Sequence, residues 1–458
     1  MKIAVIGSGI AGLSAAWLLA RHSAQAHQVT LFEKDSRLGG HTHTIDVTVD
    51  GLTHAVDTGF LVYNDWTYPN LIALFEQLNI ETAASDMSFS IKLMDDAGRG
   101  RLEWCGSDEL STVWAQPSNF VKPAFAGMLL DLLRFNRQAQ QLTSGDASAL
   151  TGTLGEFLDR NRYGRGFREW YLKPMAACIW STPLDRVTGF PLEKFLVFCK
   201  NHGLISVNDR PKWRTVKGGA RHYVNAIAGQ LPDVRLNAAV TRVAALEHGL
   251  EITTAQGAER FDHAILACHT DQAARILDGG FAAQCEALSA IAYQANTAIV
   301  HTDRRLLPDR PRAWGAWNYL GWHSSASAAR QTALRSAPVS LSYLINKLQP
   351  LPFKSPVIVT MNPLIDPKPG TVLKTVEYDH PLFLKQSVDA QRAIRRVQGQ
   401  GNVWFAGAWT RYGFHEDGVM SGVAVARALG AHIPWQTQTP AANDLTTPYP
   451  GVDAEAGK

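Results

Sequence analysis

The sequence predicts an α/β protein in which a parallel nucleotide-binding sheet is joined to a second, mixed α+β unit. Two observations lead there. The first 33 residues read apolar run, glycine turn, small-residue helix, apolar run, acid. Farther along, two compositions alternate, so each unit is expected to be assembled from discontinuous segments. A length of 458 residues sets an expectation of roughly two or three domains. With 46% hydrophobic and 19% charged residues, the composition is globular rather than disordered or collagen-like.

The elements follow in order. Ile3-Ala4-Val5-Ile6 is a short apolar run of the kind that forms a strand buried on both faces. Leu13 to Ala20 reads as a helix of small and apolar residues. Val29-Thr30-Leu31-Phe32 is a second apolar run, ending at Glu33. Together these make a βαβ unit. Helical patterns at Leu71–Leu78, Phe125–Gln138 and Leu154–Arg160 then lie in or beside a Trp- and Phe-rich stretch. Strand-like runs return at Val234–Leu236, Leu250–Ile252 and Ala264–Leu266. Residues 280–390 hold further β-rich runs, Val339–Ile345 and Val357–Met361. A last buried strand, Val403 to Gly407, leads to a small-residue helix, Val419 to Leu429. The expected units are therefore 1–78, 210–275 and 395–433 for the nucleotide, and 79–209 and 276–394 for the substrate. Residues 434–458, rich in Thr, Pro, Ala and Asn without periodicity, are expected to be a disordered tail.

Gly7-Ser8-Gly9-Ile10-Ala11-Gly12 is a GxGxxG turn, and Glu33 stands 21 residues beyond its last glycine. Following a strand and opening a helix, this spacing is the dinucleotide fingerprint. Gly7 allows the tight turn, Gly9 lets backbone approach a pyrophosphate, and Gly12 lets helix and strand lie close. Glu33 can accept hydrogen bonds from ribose hydroxyls and would repel a 2′-phosphate, which disfavours NADP. Lys34, Arg37, Gly39, Gly40, His41 and Thr42 follow. The glycine pair offers a second close backbone approach, as an extended FAD lying across the domain would need.

With Asp57-Thr58-Gly59-Phe60 behind it, this start resembles the FAD-dependent superfamily of amine oxidases, protoporphyrinogen oxidase and phytoene desaturases. Trp213–Gly219 is similar to the family's mid-chain glycine-pair segment, and Gly401–Arg427 to its C-terminal flavin motif. GGHTHT, VDTGFLVYN, NHGL, WRTVKGG and YGFHEDGVMSG look like a bacterial subfamily described as NAD/FAD-binding proteins, and some members of the wider group are linked to modification of membrane fatty acids. The resemblance implies a glutathione-reductase-type Rossmann-like domain and FAD held at Gly7, Ser8, Gly9, Ala11, Gly12, Glu33, Lys34, Arg37, Gly39, Gly40, His41, Thr42, Gly59, Phe60, Val240, Gly407, Gly418 and Val419. Val240 matches a strand position whose backbone meets the adenine. The helix near Gly418 would point its N-terminus at the flavin N1–C2=O edge, where reduced flavin carries negative charge. Many relatives have an acid after the glycine of that motif; here the residue is Ala408.

His415 and Glu416 are expected in a loop facing the flavin, where a His can shuttle a proton or line the pocket. His415 stands where amine oxidases place an aromatic wall of the amine cage. Their lysine near flavin N5 has no counterpart in Ala292–His301, which holds Asn296 instead. The two losses and the Trp-rich substrate unit point to hydride transfer from a lipophilic substrate, an acyl chain foremost, with oxygen or an electron carrier as acceptor. Three alternatives stand beside it: a flavin-containing amine oxidase, an isomerase that does not consume its flavin, and a protein that only holds FAD.

Other classes lack support. The balance of 44 Lys+Arg against 41 Asp+Glu gives no polyelectrolyte for nucleic acid. GxSxG, HExxH and Walker A motifs are missing. His41-x-His43 is a pattern a metal can use, but the resemblance implies that His41 lies by the pyrophosphate; no metal is expected. His202, His269, His301 and His380 read as scattered structural residues. Five cysteines without a CxxC pair fit a reducing compartment, and none stands where relatives attach flavin covalently, so the FAD is expected to be non-covalent. The start MKIAVIGSG passes straight into a strand, so no leader is expected, and the longest apolar stretch, Phe120–Phe135, is interrupted by Lys122, Asp131 and Arg134. The expected location is the cytoplasm, with peripheral contact at the inner face of the membrane as its variant.

Overall fold

The computed structural model describes residues 1–107, 109–144, 150–206, 210–382 and 385–435. Five strands form a parallel sheet in the spatial order Asp233–Arg235, Gln28–Phe32, Lys2–Ile6, His263–Leu266, Val403–Phe405. The two halves of the sheet run outward from Lys2–Ile6, as in doubly wound nucleotide-binding folds. Side-chain alternation splits each strand between two cores. Ile3, Val5, Leu31 and Ile265 face one side, where helices Ile10–Arg21, Arg221–Ala228 and His415–Ala428 pack. Ala4, Ile6, Leu266 and Phe405 face the other, against a three-stranded antiparallel sheet of Arg242–Ala245, Leu250–Thr254 and Gly257–Phe261. Burial on both faces is why these strands are nearly all apolar.

A second sheet has seven strands, ordered Val372–Pro381, Tyr293–His301, Ile358–Met361, Leu341–Leu344, Trp317–Trp322, Phe89–Met94, Gly100–Gly106. All its pairings are antiparallel except that of Trp317–Trp322 with Phe89–Met94. Helices Pro123–Ser144, Leu154–Arg160, Lys173–Trp180 and Leu192–Asn201 bury Phe125, Phe135, Phe157, Phe195 and their neighbours over one face of this sheet. The hairpin Thr44–Val49/Leu52–Asp57 contributes Val47, Val49 and Val56 to the core on its other side.

Several elements depart from expectation. The C-terminal helix begins at His415, three residues before Gly418, because Asp417 reaches back and accepts the Phe414 N–H at 2.9 Å, securing an extra turn. His415 and Glu416 are therefore helical and not in a loop. Val240 lies in the connection between Asp233–Arg235 and Arg242–Ala245, not in a strand. Of the expected tail, residues 436–458 lie outside the described residues, but Trp435 stacks on Trp17 at 6.4 Å and donates to the Asn70 side-chain carbonyl at 3.1 Å. An indole that finds both a ring and an acceptor is a packed residue.

Candidate flavin site

The site is built around the turn between Lys2–Ile6 and the helix Ile10–Arg21. Gly9 is the N-cap of that helix, at φ −61° and ψ 170°, and a Cβ built there meets no protein atom within 4 Å. A Cβ on Gly12 would collide with the Gly7 carbonyl. The two glycines thus do different work: Gly12 lets helix and turn close, whereas Gly9 faces open space at a helix N-terminus, a ready anion site. Ala11 follows in the first helical turn.

Glu33 caps the end of its strand and is buried. Its carboxylate accepts the N–H of Ser8 at 3.0 Å, the Ser8 hydroxyl at 2.5 Å and the N–H of Asp35 at 3.0 Å. The acid holds the glycine turn against the second strand, with Lys34 exposed beside it. Ala238 donates its N–H to the Glu33 carbonyl at 2.8 Å, which brings Val240, two residues on, to this end of the site.

The second glycine pair closes on the first turn. Gly39 donates to the Ser8 carbonyl at 3.1 Å, and a Cβ on Gly40 would lie 3.3 Å from Gly9 Cα. Arg37 wraps the pair, donating to the Gly40 carbonyl at 2.9 Å. Phe60 donates its N–H to the His41 carbonyl at 2.9 Å, and a Cβ on Gly59 would strike that carbonyl. Gly407 donates to the Ser421 hydroxyl at 2.9 Å, and a Cβ on Gly418 would press on Ile10 at 2.7 Å. The C-terminal helix is thereby seated on the start of the first helix. Val419 is wholly buried in the sheet core, so only its backbone can serve a ligand.

Two features were missed in the sequence. The first is an aromatic wall. His415 stacks on Phe60 with centroids 3.8 Å apart and planes 12° off parallel. Its Nε2 lies 2.6 Å from the Tyr223 hydroxyl, which also bonds the Thr42 hydroxyl. Burial pushes the His415 imidazole down to about 3, so it is neutral at physiological pH. The second is a histidine cluster, which corrects the reading of His269 and His380 as scattered. His41 packs against His269, Tyr378 and His380 at 5.8, 5.1 and 5.4 Å. His380 Nδ1 meets the amide of Asn296 at 3.3 Å and the Ser181 hydroxyl at 3.2 Å. Burial lowers His380 and His43 to about 4 and His41 well below its ordinary value. His202 and His301 remain structural, the first stacked on Phe198 at 3.9 Å, the second bonded to Thr360 at 2.7 Å. Among the described residues no group of three or more His, Cys, Asp or Glu is placed to hold a metal ion.

Glu416 does not face the wall. It accepts the N–H of Asn70 at 2.9 Å, the Asn70 side-chain amide at 2.7 Å and the N–H of Leu71 at 2.9 Å, capping the helix Pro69–Gln77. Burial raises its carboxyl to about 7 despite those donors.

The residues fit a dinucleotide. A Cβ on Gly9 would enter empty space at a helix N-terminus, and the His41 Nε2 is buried with no hydrogen-bond partner, an atom that a ligand would satisfy.

Comparison with known proteins agrees. A family model of flavin-containing amine oxidoreductases matches residues 10–346. A 4,4'-diapophytoene desaturase (4,4'-diaponeurosporene-forming) of Staphylococcus aureus strain MRSA252 is 42% identical over 65 residues, 14% of this chain and 12% of that one. The match therefore spans about an eighth of the desaturase's length. Two solved structures share the fold. Cyclohexylamine oxidase from Brevibacterium oxydans IH-35A has a TM-score of 0.63 at 16% identity, covering 94% of this chain and 98% of that one. A CLA-producing fatty acid isomerase from P. acnes has a TM-score of 0.61 at 14% identity, covering 93% and 98%. The chain belongs to the flavin-containing amine oxidoreductase family.

Proposed function

We propose that the enzyme dehydrogenates a carbon–carbon bond of a small lipophilic substrate, an acyl chain foremost, and passes the electrons to oxygen or a carrier. The observation that carries this reading is the uncharged pair of Phe60 stacked on His415, beside a stretch, Ala292–His301, that holds Asn296 and no lysine where the resemblance expects one. The FAD, held without a covalent bond, would supply the hydride acceptor, and the second hydrogen would leave the neighbouring carbon as a proton to solvent. The protein groups orient and exclude. The Gly7–Gly12 turn, Glu33 and the Gly39–Gly40 pair hold the adenosine diphosphate half, with Val240 at the adenine end. His41, Thr42, Gly59, Gly407 and the first turn before Gly418 frame the flavin end. His415 is pushed too low to carry a proton, so we assign it as a wall that aligns the substrate rather than as a proton shuttle. An apolar wall places a C–H bond by shape, and geometry of this kind is a large part of what a hydride transfer needs. The domain division is 1–78, 210–275 and 395–433 around the cofactor, and 79–209 and 276–394 around the substrate.

The test is anaerobic bleaching of the flavin absorbance against acyl lipids, carotenoid precursors, porphyrinogens and primary amines. The expectation is fast bleaching by lipids. Fast bleaching by primary amines with lipids inert overturns the proposal in favour of amine oxidation. Steady-state conversion to an isomer, with no acceptor consumed, overturns it in favour of isomerisation.

A further inference from the structure

The longest apolar stretch of the sequence carries an exposed apolar face. Phe120 is 65% exposed, Val121 80%, Leu130 69% and Leu133 56%. These four lie within fourteen residues, while the other large exposed apolar side chains among the described residues are spread along the rest of the chain. Helical geometry explains the grouping. In the helix Pro123–Ser144, Phe125, Met128, Phe135 and Ala139 point into the core. At 100° per residue, Ala126, Gly127, Leu130, Leu133, Arg134 and Arg137 then share the opposite side, all exposed. The four apolar members lead and the two arginines follow. Phe120 extends the apolar end, stacked on Trp114 at 4.2 Å.

The surroundings are basic. Residues 117–168 hold seven Lys or Arg against four Asp or Glu, a surplus of +3 that equals the surplus of the entire chain. The three acids among the described residues are engaged: Asp131 pairs with Arg134 and accepts the Gly164 N–H, Asp159 pairs with Arg168, and Glu156 accepts the Thr153 N–H. Arg137, Arg160, Arg162 and Arg165 are exposed, and among the described residues none pairs with a carboxylate. Arg162 and Arg165 flank the helix through the Gly164–Asp131 bond.

We propose that the Phe120–Arg137 face docks the enzyme on an anionic lipid surface, apolar side chains entering the acyl boundary and arginines meeting the headgroups. An amphipathic helix that lies in the interface uses this combination of apolar area and basic flank. The helix lies on the membrane and does not cross it: among the described residues no helix is long and apolar enough to span. A second copy of the chain is a poorer occupant, because Asp131, Glu156 and Asp159 of the same face are already engaged and leave these arginines no free counter-charge on a partner. The same hydrophobic cluster that backs this face also receives Phe414, the residue before His415, so the docking face and the flavin-side wall share one core.

The test is sedimentation of the flavin-loaded enzyme with vesicles of phosphatidylcholine alone and of phosphatidylcholine with phosphatidylglycerol. Binding is read without turnover, so it stands or falls apart from the substrate reading. The expected result is binding to the anionic vesicles that weakens with salt, and a partition lowered ~tenfold both by Leu130→Ser with Leu133→Ser and by Arg137→Glu with Arg162→Glu. The arginine pair is exposed and guards against an apolar variant that fails to fold; an unchanged flavin spectrum verifies both. Failure of the enzyme to sediment with anionic vesicles overturns the proposal, as does equal binding by both variants. A concentration-dependent dimer lost in the leucine variant, with no vesicle binding, assigns the face to a second copy instead.

Discussion

Replacing Gly9 separates folding from cofactor binding. Its φ of −61° and ψ of 170° are open to any residue, and a Cβ there touches nothing within 4 Å. The first atom that Gly9→Val adds therefore meets no protein atom. The variant loses a favourable N-cap residue and gains from a less flexible unfolded chain, two effects of opposite sign and each below about 1 kcal/mol. The ligand-free thermal midpoint is expected to stay within about 3 °C of wild type. Cofactor binding is a different matter, since the two added methyl groups fill the space that a pyrophosphate needs. At a hundredfold excess of free FAD over Kd, binding adds ~2.7 kcal/mol to wild-type stability, and the variant loses that increment. The assay is flavin absorbance per chain after purification, with thermal unfolding before and after FAD addition. The expected variant is colourless, folded and unresponsive to FAD. A Gly9→Val protein that retains one flavin per chain refutes the reasoning. Gly12→Val is the contrast: its Cβ meets the Gly7 carbonyl, so the fold itself should fail.

Glu416→Ala strands the N–H groups of Asn70 and Leu71 in a buried site and should cost roughly 2–4 kcal/mol in denaturant unfolding, whereas Glu416→Gln keeps an acceptor and loses less. The cofactor-stripped protein should lose stability as pH falls from 7 to 5. His41, His43, His202, His301, His380 and His415 all have folded values depressed below the unfolded range, so the stability they contribute at neutral pH disappears as the unfolded chain takes up protons near 6.5. Asp57 and Asp417, raised to about 6, and Glu416, raised to about 7, work in the opposite sense and are outnumbered. A thermal midpoint that rises over that interval contradicts this account. The flavin should leave the chain on acid or heat denaturation: no cysteine follows Cys285, and burial pushes the Cys268 thiol beside the glycine turn up to about 12, which denies it a thiolate. Flavin that remains with the denatured chain shows an attachment through another residue.

What was legible in the sequence is what local physics encodes. An apolar run buried on both faces announces a parallel strand, and a glycine turn between strand and helix announces itself by spacing. The helical pattern Leu154–Arg160 matches the helix to the residue, and the structure closes its start with a capping box of Thr153 and Glu156. The rest depends on contacts across long separations. Nothing near His41 in the chain points to His269 or His380, which arrive on other elements. One weak signal existed: Tyr378 and His380 are two apart on the strand Val372–Pro381, so they share a face, and Asn296 pairs opposite Tyr378. Glu416 was assigned to the flavin for its position before Gly418. Its partner, the start of the helix Pro69–Gln77, lies 346 residues away and no periodicity connects them. Trp435 was lost in a stretch of polar composition because its two partners, Trp17 and Asn70, are fixed by the N-terminal half of the chain.

The parallel sheet has a consequence for the order of synthesis. Its first two strands and first helix are complete by residue 33, yet the edge strand Val403–Phe405 and the helix His415–Ala428 come far later in the chain. Until then the helix Ile10–Arg21 leaves the ribosome with Ala11, Ala15 and Leu18 deprived of the surface that Val419, Val423 and Ala426 will cover. For most of translation the nascent chain therefore displays an apolar stripe on its nucleotide-binding half, the kind of surface that invites aggregation or a chaperone. A chain released near residue 400 should be insoluble and unable to take up flavin, although it contains the whole GxGxxG turn. Cofactor capture in this sense waits for the helix His415–Ala428.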